Sequence, residues 1–357
     1  MKKNEPMKLF GGIGLLDLAN FTKHLSVMLK AGISISESLD TLLAQTKSPR
    51  LKKTIKQLMA DTNNGAPLSA AMDKFPRIFD QFYISIIQIG EESGTLDGNL
   101  EYLAQKLHKD LSLRRAIKEA LFYPTIVVCA ALIVGLGISI FVLPKMGDLF
   151  LSFDMKLPLS TRILLGFSSF MKKYNILVPI AMVGLLFLFR VIIRTRLVRP
   201  AWSRVVLSLP FLGNFNIAIE TSAFCRNLGI MLSSSLPISQ ALEIVENTTR
   251  NYVFQHYMSE LRKAVSGGKQ LAEQLTAGKF PYLPYMAARM ISVGEKSGKL
   301  NDMLLYLGQY YEEETDSMAK NFSSVIEPVL LVFIGIIVAI LAMAVIGPIY
   351  QLTGSIK

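Results

Sequence analysis

A glycine-flanked acidic turn is the first place to look for chemistry in this chain. Residues 90–97 read Gly-Glu-Glu-Ser-Gly-Thr-Leu-Asp, and residues 294–301 read Gly-Glu-Lys-Ser-Gly-Lys-Leu-Asn, an offset of 204 (294 − 90). Glycines beside a lysine and a serine are the parts of a phosphate cradle, in which backbone N–H groups hold the anion. The spacing does not fit one. The pattern G-x-x-x-x-G-K-[ST] is missing a residue between Gly294 and Gly298, and Lys299 is followed by Leu300. In the first copy Thr95 stands where Lys299 stands in the second, so the cation such chemistry needs is not shared.

Two readings of the turn remain. In the first it joins two helices: Gly90 and Gly294 end a helix in the left-handed conformation that costs glycine little. Ser93 and Ser297 then satisfy free N–H groups at the start of the next helix, where Leu96 and Leu300 open an apolar stripe. In the second, Glu91 and Glu295 contact a partner or a cation, although the carboxylate spacing is not that of an EF-hand. Gly94 and Gly298 complete the candidate positions of the two turns.

Other reactive groups are sparse. His24, His108 and His256 lie too far apart for a local metal motif, and neither a G-x-S-x-G nor a C-x-x-C pattern occurs. Cys129 lies in an apolar run and is not expected to meet Cys225, so neither a disulfide nor a metal pair is predicted. No catalytic residue, cofactor site or metal ligand is predicted. The net charge of +11 comes with no nucleic-acid motif and suits the basic flanks of a membrane protein.

The elements that carry the turns are themselves duplicated. Phe21-x-x-x-Leu25-x-x-Met28-Leu29 matches Phe224-x-x-x-Leu228-x-x-Met231-Leu232, and Ile35-Ser36 matches Ile238-Ser239. Lys74-Phe75-Pro76 matches Lys279-Phe280-Pro281, Tyr102-Leu103 matches Tyr306-Leu307, and Pro124 matches Pro328. Anchors in one order with a drifting offset mark an internal repeat. Within residues 17–120, apolar residues recur at helical spacing, as in Leu18, Phe21, Leu25, Met28 and Leu29. Breaks at Ala31-Gly32, Lys47-Ser48-Pro49, Asn63-Asn64-Gly65, Phe75-Pro76 and Gly90 to Gly94 divide the segment into about six helices. Residues 217–324 read the same way.

Of the 357 residues, 51% are hydrophobic and 18% charged, with a mean hydropathy of +0.39. That balance is too apolar for an ordinary soluble domain. Three apolar runs explain it. Residues 121–143 form a charge-free run of about 34 Å as a helix, enough for a hydrocarbon core of about 30 Å. Residues 176–193 are shorter and end at arginines, Arg190 and Arg194, that can reach the interface. Residues 325–346 carry Glu327 near their start. The predicted protein is therefore all-α: an integral membrane protein with two homologous six-helix cytoplasmic bundles and three transmembrane helices.

The domain order follows: an N-terminal tail 1–16, read as uncleaved; bundle 17–120; span 121–143; an outer loop 144–175 with an amphipathic helix from Ser160 to Lys173; span 176–193; linker 194–216; bundle 217–324; span 325–346; and tail 347–357. Two homologous bundles belong in one compartment, which needs an even number of crossings between them. Lys106, Lys109, Arg114, Arg115 and Lys118 before the first span, with Arg194, Arg196, Arg199 and Arg204 after the second, place the bundles in the cytoplasm. Pro124 and Pro328 have two readings. Either each bends a helix that runs from bundle into membrane, or each sits in the first turn of a separate span. Tyr123 is the counterpart of Glu327.

With these residues in view, the chain resembles the type II secretion F protein and type IV pilus inner-membrane platform (GspF/PilC) family. The resemblance rests on Phe21-x-x-x-Leu25 leading to Ala31-Gly32-Ile33, on the duplicated G-E-x-S-G, on Leu157-Pro158-Leu159 in the loop, and on Glu327-Pro328-Val329-Leu330 and Gly347-Pro348-Ile349. It departs from the family's A-G-[IV]-P-[IL]: Ser34 replaces proline in one copy, and Ser234-Ser235 replace Ala-Gly ahead of Pro237 in the other. The resemblance implies a non-enzymatic platform in a bacterial plasma (inner) membrane, N-terminus cytoplasmic. Its implied partners are a hexameric cytoplasmic assembly ATPase, pilin or pseudopilin subunits, other inner-membrane assembly components, membrane lipid and further copies of itself, with no direct contact to nucleic acid. A transporter or channel component is the alternative. That class usually shows more spans and broken helices.

Overall fold

A computed structural model of the chain describes residues 13–138, 141, 166, 177–193, 195, 198–322, 324, 326–336, 338, 339 and 342, and these are helical or turn, with no strand. The first repeat comprises α1 (Leu15–Lys30), α2 (Ile35–Gln45), α3 (Pro49–Asn63), α4 (Leu68–Asp73), α5 (Gln81–Ser93) and α6 (Leu96–Gly137). After α7 (Leu177–Ile193) and α8 (Arg199–Ser208), the second repeat comprises α9 (Leu212–Ser233), α10 (Ile238–Thr248), α11 (Tyr252–Ser266), α12 (Leu271–Thr276), α13 (Tyr285–Ser297) and α14 (Leu300–Lys320). An apolar helix α15 (Ile326–Ile336) follows. The chain divides into two compact units, Met1–Arg115 with Arg199–Ser317, and Ala116–Val198 with Met318–Lys357.

In the first unit, local chemistry sets the helix starts. The Ser34 hydroxyl accepts the Glu37 N–H at 3.2 Å, Ser48 caps α3 ahead of Pro49, and the Asp80 carboxylate accepts the Tyr83 N–H at 2.9 Å. Asn251 caps α11 through the Val253 N–H at 2.9 Å. Such caps contribute about 1 kcal/mol each by satisfying N–H groups that have no partner inside the helix. Glycines close helices where the backbone turns left-handed, as at Gly32 and Gly65. Both repeats then bury one apolar face: Phe21, Leu25, Leu39, Ile55, Leu58 and Phe79 in the first, and Phe224, Leu228, Leu242, Phe254, Leu261 and Ile291 in the second. Burial of each such side chain is worth about 1.5–3 kcal/mol.

The second unit has a different surface. Phe122, Ile133, Phe187 and Val329 are all more than 60% exposed. Among the described residues one helix, spanning Leu96–Gly135, is long and apolar enough to cross a membrane. Helix α7 falls on the second predicted span and α15 within the third. Apart from Gly166, the predicted amphipathic helix from Ser160 to Lys173 lies outside the described residues, as do residues 1–12 and the tail 347–357.

Two sequence expectations change here. Residues 194–216, read as a linker, contain α8 and the first residues of α9. The proline alternatives resolve in the first copy. Helix α6 runs unbroken from bundle into apolar run with Pro124 inside it, where the Thr125 hydroxyl donates to the Leu121 carbonyl at 2.7 Å. In the second copy α14 ends at Lys320 and a turn stands at Asn321, and Phe322 and Ser324 are helical again ahead of Pro328 in α15.

Candidate functional site

Each duplicated turn joins the fifth helix of its repeat to the sixth, and the structure assigns its glycines differently from the sequence reading. Gly90 and Gly294 do not end helices. They lie within α5 and α13, and the left-handed residues are Gly94 (φ 73°) and Gly298 (φ 72°). The Thr95 N–H donates to the Gly90 carbonyl at 2.9 Å and the Lys299 N–H to the Gly294 carbonyl at 2.8 Å. These bonds close a Schellman cap, which satisfies carbonyls that the helix leaves free. A side chain at Gly90 would place its Cβ 2.9 Å from the Leu96 Cα, and one at Gly294 would come within 2.8 Å of the Met303 Cγ. The first glycine therefore lets the two helices touch, and the second turns the chain.

The serines differ from expectation as well. The Ser93 hydroxyl bonds the Ile89 carbonyl at 2.7 Å, and the Ser297 hydroxyl bonds the Gly294 carbonyl at 3.2 Å. Both donate back to the helix just ending, because the left-handed glycine that follows points the chain away from them. Neither accepts an N–H at the next helix start.

The carboxylates do the capping, at a distance. Glu91 Oε1 accepts the Leu68 N–H, and its Oε2 accepts the Ser69 N–H at 3.1 Å and the Ser69 hydroxyl. Glu295 accepts the Leu271 N–H at 2.9 Å and the Ala272 N–H at 2.6 Å. Pro67 and Gln270 occupy the N-cap positions ahead of α4 and α12, and neither of these side chains caps its own helix. Each glutamate thus supplies a negative charge and two acceptors to a helix N-terminus that has no cap of its own. Among the described residues no group of three His, Cys, Asp or Glu side chains is placed to hold a metal ion.

Sequence reasoning missed a second polar cluster, where the repeats meet inside the first unit. The Tyr102 hydroxyl donates to Asn227 Oδ1 at 3.1 Å in a buried position, and the Arg226 guanidinium lies 5.9 Å from the Tyr102 ring centroid. Arg226 pairs with Glu312 at 2.9 Å, and Lys109 reaches Glu312 at 3.8 Å and Asp316 at 3.5 Å. Gly308 admits Arg226, whose Cβ would sit 2.8 Å from a Cβ at that position. Burial pushes the Tyr102 hydroxyl up, so it stays protonated and donates. Nearby, burial pushes the Glu220 carboxyl up to about 7, while the Asn251 N–H, Arg250 and Lys106 pull the other way. A signal for this cluster was present: Lys106 and Tyr310 occupy equivalent positions but differ in kind, as two faces with different neighbours would.

The fold and its turns define a class of protein built by duplication: two six-helix bundles, each tied by a Gly-Glu-x-Ser-Gly turn and each followed by an apolar helix. The family described as Type II secretion system (T2SS), protein F matches residues 21–144 and 224–348, one match per repeat, and the chain belongs to that family. Over 347 residues it is 32% identical to the "Type IV pilus assembly protein PilC" of Thermus thermophilus, covering 97% of this chain and 85% of the relative. The Pseudomonas aeruginosa protein of the same name is 30% identical over 339 residues, 94% of this chain and 90% of its own length. The "Type II secretion system protein F" of Pseudomonas aeruginosa is 30% identical over 343 residues, 96% and 84% of the two chains.

Proposed function

We propose that this protein is the inner-membrane assembly platform of a type IV pilus or type II secretion machine. The observation that carries this reading is the family match on both repeats, in relatives named for pilus assembly and for secretion alike. The platform couples a hexameric cytoplasmic assembly ATPase to the extraction and polymerisation of pilin or pseudopilin subunits, and it works without catalysis of its own. Residues 121–143, 176–193 and 325–346 cross a bacterial plasma membrane, with both bundles and the N-terminus on the cytoplasmic side. Supporting this are the outward-facing apolar side chains of α6, α7 and α15, such as Phe122, Phe187 and Val329, which water would not favour. The arginines and lysines flanking the first two spans support the orientation.

In this reading the duplicated turns keep the bundles stiff enough to transmit force. Gly90, Gly94, Gly294 and Gly298 pack and turn the chain, and Glu91 and Glu295 cap their own repeats. Pro124, Glu327 and Pro328 sit where the bundles give way to apolar helix, the place where motion of a bound ATPase would pass to the spans.

The test is affinity purification of the tagged full chain from its own membranes. Retention of an assembly ATPase and prepilins, with loss of surface pili or secretion on gene deletion, is the expected result. Solute flux through proteoliposomes holding this protein alone would sink it in favour of a channel or transporter.

A further inference from the structure

The two repeats do not meet as equals. The α5–α6 face of the first packs on the α9–α10 face of the second: Tyr102 bonds Asn227, and a cavity of about 600 Å³ lies between Ile89, Gln88 and Glu92 on one side and Ile244, Gln240 and Glu243 on the other. A contact between different faces of equivalent bodies is heterologous, and it leaves one face of each body unused. Among the described residues, the faces left open are those equivalent to the pair already joined: α13–α14 of the second repeat and α1–α2 of the first.

These faces have the properties of an interface. On α13–α14, Tyr285 is 76%, Val293 61% and Tyr306 52% exposed, whereas Ile89 and Tyr102, the counterparts of Val293 and Tyr306, are 6% and 9% exposed. Arg289 and Lys296 stand exposed on the same helix, where the first repeat has Ser85 and Glu92. On α1–α2, His24 and Val27 are exposed where Asn227 is buried and Ile230 half-buried. Glu37 and Asp40, both exposed, take the places of Gln240 and Glu243. The joined faces thus meet through amides and acids; on the free faces the bases Arg289 and Lys296 of α13 correspond to the acids Glu37 and Asp40 of α2, while Lys23 and Lys30 of α1 are paired with Glu101. Opposite charge around apolar anchors favours one partner and one register.

We propose that the α13–α14 face of one copy of this chain docks on the α1–α2 face of the next. The contact repeats between chains the geometry that joins the repeats within one, with Tyr306 placed against His24, Val293 against Thr41, and Arg289 and Lys296 against Glu37 and Asp40. The assembly is head-to-tail: each added copy leaves one face of each kind open until a ring closes. The inference draws on the repeat alone and stands whether or not the platform reading does.

Single-cysteine variants of the full chain test it. His24→Cys and Tyr306→Cys are made in a Cys129→Ser background, purified separately in detergent, mixed and treated with a short bismaleimide, since a contact through a tyrosine tip holds the two backbones too far apart for a disulfide; Cys225 is buried and stays. A cross-linked dimer is expected in the mixture and not from either variant alone, and a ladder of higher species from the chain carrying both. Dimers from Tyr306→Cys alone would show that the face pairs with itself and overturn the head-to-tail arrangement, as would an uncross-linked mixture. Independently, Arg289→Glu with Lys296→Glu should weaken association about tenfold or more. Mixing that variant with Glu37→Lys, Asp40→Lys chains should restore it. An unchanged unfolding temperature shows that the charge variants fold, and association that survives the reversal, or fails to return on mixing, rejects the pairing.

Discussion

The two turns hold one backbone geometry with different neighbours. Gly90 and Gly294 both bring the fifth helix against the sixth, but Gly90 faces the Leu96 backbone and the Asn99 side chain, whereas Gly294 faces Met303 first and Leu300 second. Asn99 also donates to the Ile86 carbonyl at 2.9 Å, a tie that methionine cannot make. Behind the turns, the buried Thr22–Tyr83 hydrogen bond of the first repeat has Cys225 and Ala287 at the equivalent positions of the second. Burial pushes the Cys225 thiol well up, so it behaves as a small apolar group. What survives duplication is the backbone constraint, while the side chains that fill the space around it have drifted toward what each repeat touches.

The sharpest way to break that comparison is to fill the glycines. Gly90→Ala should destabilise the protein by about 1–3 kcal/mol, the cost of forcing apart two helices whose closest atom, the Leu96 Cα, is backbone. Asn99→Ala should not restore it. Gly294→Ala should cost less, and Met303→Ala should recover part of the loss because it removes the closest atom, Met303 Cγ, while Met303→Gly, which also removes the Cβ at 2.9 Å, should recover more. Thermal unfolding of the purified full chain, with the double variants as controls, measures both. Equal costs with equal rescue would show that the neighbours do not matter.

A smaller effect should follow removal of the remote caps. Glu91→Gln and Glu295→Gln keep one acceptor but lose the charge at the helix N-terminus, and each is expected to cost about 1–2 kcal/mol. Glu91 should cost the more, since it also holds the Ser69 hydroxyl, which Ala272 in the second repeat lacks. Hydrogen exchange at the Leu68, Ser69, Leu271 and Ala272 amides reads the loss locally, and unchanged protection there would remove the capping role.

Much of the fold was legible because its punctuation is local. Gly32, Gly65 and Pro76 announce helix ends from their own backbone limits, and the repeated anchors align the two bundles without any contact information. The site was less legible, for physical reasons that differ by residue. Gly90 and Gly94 stand four apart, and either could have carried the left-handed turn. Only the approach of Leu96 distinguishes a packing glycine from a turning one. Glu91 serves Leu68, 23 residues earlier in the chain, and nothing near it in sequence points there. The lack of a capping side chain at Pro67 was the one hint. Helix α8 falls in the stretch read as linker between the second span and the second bundle; Pro200 stands in its first turn, where proline is welcome. The continuity of α6 through Pro124 could not be decided from composition, since a proline suits both an interior bend and a fresh start.

The smallest expected effect tests whether backbone constraint outlives sequence. Gly32 closes α1 at φ 81°, and its counterpart Ser235 closes α9 at φ 63°, a left-handed conformation that a side chain disfavours. The neighbouring bonds are the same in both copies: the Ile33 N–H donates to the Met28 carbonyl at 3.0 Å, and the Leu236 N–H to the Met231 carbonyl at 3.0 Å. The second repeat therefore carries the same turn under strain of about 1–2 kcal/mol. Ser235→Gly removes that strain but frees the unfolded chain, which returns part of the gain. The net expectation is a stabilisation of about 0.5–1 kcal/mol, and Gly32→Ser should cost a similar amount. Thermal unfolding of the two single variants measures this. A Ser235→Gly protein that unfolds earlier than the parent would mean that the serine hydroxyl makes a compensating bond, and that the second repeat has replaced the glycine's freedom rather than tolerated its loss.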